Sequence, residues 1–184
     1  GLVDRVYAAV AGKTVPLPEG VAATLPGQLV KLPDAHMNRL AGLVETISRE
    51  GGRHDLYRIA AEMQLELDDV LPVIEAAEIL GFAIVEQGDI VLTPLGHTHA
   101  DASILARKEI MAGRVLRLPV ISWIYETLRA DDDGRVAEEY FADKVQADFG
   151  EYAQAQLDLA INWGRYAELF EFDDDTDELY IQSA

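Results

Sequence analysis

Residues 55–93 read DLYRIAAEMQLELDDVLPVIEAAEILGFAIVEQGDIVLT, and their pattern decides the fold. Leu56, Ile59, Ala60 and Met63 recur at i, i+3, i+4 and i+7, one apolar face of a helix. Residues 64–67 interrupt that period. Pro72 fits only in a first helical turn, so Asp69, rather than Asp68, is the expected cap of a second helix. Val70, Val73, Ile74, Ala77 and Leu80 continue the apolar face, and Gly81 supplies its stop. Two β-branched or aromatic runs, 82–85 and 90–92, flank Gln87-Gly88-Asp89, a hairpin signal. Helix, turn, helix and hairpin make a winged helix-turn-helix.

Upstream, residues 34–50 form the first helix of that unit, with Leu40, Leu43, Val44 and Ile47 inward and Gly51-Gly52 as the stop. Arg53-His54 is a short first strand. Residues 15–33 hold Pro16, Pro18, Pro26 and Pro33 and read as a linker with little regular structure. Residues 2–11 form a short apolar helix. The chain opens at Gly1 without a Met, as expected of a piece of a longer protein. Gly12-Lys13-Thr14 resembles the end of a phosphate-binding loop, but that motif needs a glycine where Tyr7 stands and a strand where a helix is expected. A helix stop followed by a basic residue is the simpler reading.

Downstream, Thr93 and Pro94 start a helix expected to reach about residue 116, with Ile104, Lys108, Met111 and Val115 along one side. The pattern then repeats. Helices are expected at 119–130, 137–149 and 152–163, a short strand at 135–136, and hairpin strands at 166–172 and 179–181. Gly52 and Gly134 are 82 residues apart, and Gly81 and Gly164 are 83 apart, which suggests a duplication. The expected fold is mainly α with small β-hairpins: tandem winged helix-turn-helix units joined by a long helix. Residues 1–33 are a preceding domain's tail plus linker, 34–93 the first unit, 94–117 the connecting helix and 118–184 the second unit.

Composition narrows the function. The hydrophobic share of 49% supports a core, and the absence of cysteine excludes disulfides and thiolate metal sites. No run approaches the roughly 18 apolar residues of a membrane span. The net charge is -18. Residues 1–117 hold 16 acids against 11 bases, while residues 118–184 hold 17 acids against 4. Such a field repels phosphate backbones and anionic lipid. The helix that a winged fold would insert into DNA carries Asp68, Asp69, Glu75 and Glu78 and no base, and its counterpart, YAQAQLDLAINW, has none either. Nucleic acid is therefore not an expected partner.

Other candidate sites are weak. Asp173, Asp175 and Asp177 have the early spacing of a calcium loop, but Glu178 replaces its glycine and Ala184 its final glutamate. His97 and Asp101 share a helical face while His99 points away, so no metal triad is expected there; His36 and His54 are isolated. No catalytic set and no glycine-rich nucleotide fingerprint is present. Trp163, Arg165, Tyr166 and Phe170 form the most unusual string, either an interface anchor or a core corner in which the helix stops at Gly164 and a strand begins at Tyr166. Tyr152 and Phe172 join Tyr166 as candidate contact aromatics.

The strings LPDAHMNRLAGLVE, DLYRIAAEM, EAAEILGFAIVEQGDIVLTPLG, ADASILARKEI and INWGRYAELFEFDDDT resemble the AAA-associated C-terminal domain family over residues 33–181. In that family the domain follows the ATP-binding subunit of ABC transporters of the nitrate/sulfonate/taurine type. LVDRVY, residues 2–7, is similar to the tail of the ATPase domain. The resemblance implies a non-catalytic, cytoplasmic accessory or regulatory domain, held at the inner membrane through the transporter complex rather than by insertion. It implies contacts with its own ATPase domain, transporter subunits and a second copy of itself. ATP and magnesium belong to the parent ATPase domain, with no cofactor or metal in this segment. The alternative class is a ligand- or cation-sensing domain with a site between the winged halves.

Overall fold

The computed structural model describes residues 29–182; the readings of the first helix, of Gly12-Lys13-Thr14 and of most of the linker lie outside the described residues. The described residues are mainly helical with two three-stranded antiparallel sheets. They divide into two compact units, residues 33–107 and residues 108–182, the latter together with residues 29–32.

In the first unit α1 (Met37–Arg49) is followed by β1 (Arg53–Asp55), α2 (Leu56–Glu62), α3 (Leu67–Ile79), β2 (Ala83–Glu86), β3 (Asp89–Leu92) and α4 (Pro94–Asp101). The expected apolar faces are the buried ones: Leu40, Leu43, Val44 and Ile47 on α1, and Val70, Val73, Ile74, Ala77 and Leu80 on or just after α3. Fully burying each such side chain contributes about 1.5–3 kcal/mol. The Asp55 carboxylate caps α2, accepting from the N–H groups of Tyr57 and Arg58 at 3.1 and 3.0 Å. Gln87 and Gly88 both take positive φ, 52° and 81°, in a two-residue turn whose twist suits the hairpin. The sheet order is β1-β3-β2, with His54 opposite Ile90.

The second unit begins within α5 (Ile104–Val115) and continues with α6 (Pro119–Ala130), β4 (Arg135–Ala137), α7 (Glu138–Phe149), α8 (Ala153–Tyr166), β5 (Glu171–Asp173) and β6 (Glu178–Tyr180). Its sheet order is β4-β6-β5. The two units use corresponding backbone bonds. Leu92 N–H donates to Gly52 O at 2.8 Å, and Ile181 N–H donates to Gly134 O at 3.0 Å. Leu56 N–H donates to Gly88 O at 3.0 Å, and Glu138 N–H donates to Asp177 O at 2.9 Å.

Three local expectations are corrected. The cap of α3 is Glu66, not Asp69, so Pro72 lies inside the helix. Asp68 and Asp69 occupy the first turn instead, where carboxylates favour the helix dipole. The connecting helix is not continuous. Ala102 is extended, with ψ 157°, and separates α4 from α5. Ser103 Oγ accepts from Ala106 N–H at 3.2 Å and starts the new helix, while Arg107 Nε donates to Ala102 O at 3.1 Å. Finally, α8 runs through Gly164 to Tyr166, so Tyr166 is helical and strand pairing waits until Glu171.

Candidate functional site

The string around Trp163 is held by the end of α8 and the turn into β5. Trp163 has no exposed surface and Phe170 has 2%, so both belong to the core of the second unit. A Cβ at Gly164 would overlap the Phe170 ring, which explains a glycine inside the helix. Helix α8 then closes with Glu168 N–H donating to Arg165 O at 2.9 Å and Leu169 N–H donating to Gly164 O at 3.0 Å. In the first unit Gly81 N–H donates to Glu78 O at 3.0 Å and Phe82 N–H donates to Ala77 O at 2.9 Å. The structural counterpart of Gly81 is therefore Glu168, and that of Gly164 is Ala77. The 83-residue glycine spacing is not a repeat landmark.

Arg165 is exposed and pairs with Glu171 at 3.3 Å. Tyr166 is half-buried under Lys108, whose Nζ lies 3.8 Å from the ring centroid and donates to Tyr166 O at 2.6 Å. Phe172 is half-buried on β5, opposite Leu179. Tyr152 is 51% exposed and caps the far end of α8. At 1.5 Å per residue that helix separates Tyr152 from Tyr166 by roughly 20 Å. The candidate aromatics therefore do not form one compact cluster. Around Tyr152 the incoming chain is fixed. Lys31 Nζ lies 3.8 Å above the Tyr152 ring, and buried Gln156 holds Leu32 at both backbone groups, at 2.6 and 3.1 Å.

The hairpins are closed acidic ends. Arg135 reaches Asp173 at 2.6 Å and Glu178 at 3.3 Å, and the guanidinium holds the Asp173 carboxyl below its ordinary range. Arg53 likewise reaches Asp89 at 2.7 Å and Glu86 at 3.3 Å. Asp68, Asp69, Glu75 and Glu78 are all exposed on α3. A polar cleft of about 420 Å³ is lined by Asp34, His36, Arg39, Asp68 and Asp69 among others. It lacks the apolar lining usual for small-molecule sites.

His97, His99 and Asp101 do not converge on a metal site. His97 is exposed, while His99 is buried against Phe82, with ring centroids 4.8 Å apart. The grouping that sequence reasoning missed is Glu50, His54 and Glu62, whose ligand atoms lie within 4.8 Å of one another. The strand-to-helix path brings them together, and no fixed spacing announces it.

The chain belongs to the C-terminal AAA-associated domain family, whose model matches residues 57–173. It is thus an accessory domain of an ATPase-type protein, in keeping with a non-catalytic segment. No curated protein and no solved structure matches it. Among the described residues no helix is long and apolar enough to cross a membrane.

Proposed function

We propose that this domain is a non-catalytic regulatory module on the ATP-binding protein of an ABC transporter of the nitrate/sulfonate/taurine type. It acts by protein contact, on the cytoplasmic face of the transporter complex. The single observation that carries the reading is the family match over residues 57–173. Each unit is a winged helix-turn-helix, a reading supported by the order helix, strand, helix, helix, hairpin that both units follow. The surface that such a unit would turn to DNA carries exposed acids on α3 and arginine-tied acids in the hairpins. A negative field of this kind suits a basic patch on a protein and steers association with it. ATP and magnesium remain with the parent ATPase domain. The partners are that domain, the transporter subunits and a second copy of this domain, since homo-oligomers favour twofold contacts.

Photo-crosslinkers placed at Tyr152, Phe172 and Glu75 in the full-length protein test this reading. Adducts to the ATPase domain or to transporter subunits are expected, with yields that fall as salt rises. Adducts to nucleic acid alone, or none to any transporter component at any site, would refute it.

A further inference from the structure

We propose that Glu50, His54 and Glu62 form a binding site for a divalent transition-metal ion of the zinc class. Glu50 caps the end of α1, His54 lies on β1 and Glu62 closes α2, so the site joins three elements of the first unit. The His54 side chain is 2% exposed, and its two ring nitrogens have different neighbours. Nδ1 lies 3.1 Å from Asp55 O. A carbonyl oxygen only accepts, so Nδ1 carries the proton. In the neutral ring Nε2 then presents its lone pair, and it faces a Glu62 carboxylate oxygen at 3.0 Å. At that distance the pair is held by a proton on Nε2 or by a metal ion between the two atoms. Glu50 brings a second carboxylate to the same point. Arg53, the base next to His54 in the chain, is committed to Asp89 and Glu86.

A proton on Nε2 would relieve the contact with Glu62 but gives Glu50 no role. A metal ion uses all three ligands. An imidazole whose other N–H is tied to a backbone carbonyl is the usual arrangement around bound metals, because that bond fixes the tautomer and ring orientation. One nitrogen and two carboxylate oxygens suit zinc, with an open position for water, and suit calcium or magnesium poorly. Metal–ligand distances of about 2.0–2.2 Å require an inward movement of Glu50, whose side chain is exposed. Bound metal would pin the end of α1 to β1 and α2, so the stability of this unit would follow metal supply.

The test uses the full chain, freed of metal by chelation and titrated with ZnCl2, with MgCl2 and CaCl2 as controls. Calorimetry should give one saturable zinc site, and Tm should rise with zinc but not with magnesium or calcium at equal concentration. Glu50→Gln and Glu62→Gln alter exposed side chains and preserve the fold. Each should weaken zinc binding at least tenfold, and the double variant should abolish it. Cobalt should give visible absorption bands that Glu62→Gln removes. Absence of saturable zinc binding, or binding unchanged in the double variant, would overturn the proposal. So would nitrogen NMR spectra in which both His54 ring nitrogens stay protonated with zinc in excess.

Discussion

His99 is a buried imidazole with no hydrogen-bond partner for either ring nitrogen among the described residues. Burial, helped by the charge of Arg107 and opposed by Glu45, pushes its pKa down from 6.5 to about 4. The folded chain thus binds this proton less readily than the unfolded chain does. Between pH 6.5 and about 4 the unfolded state holds more protons, so stability falls as pH falls through that window. At about 1.4 kcal/mol per pH unit, the loss is on the order of 3 kcal/mol once the pH is below both values. His99→Phe keeps a ring against Phe82 and removes the proton. Urea unfolding across this range should show wild type losing stability against the variant as acid is added; parallel curves would disprove the assignment. Gly164 makes a second residue-scale prediction. Gly164→Ala forces Cβ into the buried Phe170 ring and should cost about 1–3 kcal/mol, as overpacking does. In a Phe170→Leu background the added cost should shrink, and a double-mutant cycle measures the coupling.

At the scale of elements, the helix ends show what sequence reveals and what it hides. Gly81 stops α3 and could be read directly, because glycine takes the left-handed conformation freely. Its counterpart Glu168 takes φ 59° with an ordinary side chain, and nothing in its residue type signals a stop. Gly164 drew attention as a glycine, but it serves close packing, not helix termination. Glu168→Gly should relieve the left-handed strain and stabilise the chain by about 0.5–1 kcal/mol, read as a higher Tm. An unchanged or lower Tm would show that the turn is not strained. The break at Ala102 was hidden for a similar reason, since it depends on Ser103 and on Arg107 reaching backwards. Pro72 lies inside α3 although its ring nitrogen has no N–H to give the helix, so the proline alone does not mark where that helix begins. The buried faces of α1 and α3 are legible, because periodicity records burial directly, whereas Ile104, expected beside Met111 and Val115, is 79% exposed. The Glu50, His54 and Glu62 grouping is not legible, because tertiary structure alone assembles it.

For the whole molecule, the proposed association with proteins rather than nucleic acid rests on the net charge of -18. Family membership makes the chain an accessory domain of an ATPase-type protein. The direct comparison is transport and ATPase activity of the complete transporter with and without residues 34–184, at matched expression. The account predicts that deletion changes the basal ATPase rate, its coupling to transport or its inhibition by solute, while the nucleotide site itself still binds ATP. If all three stay unchanged, the regulatory reading is contradicted, and the domain is at most an aid to folding or assembly.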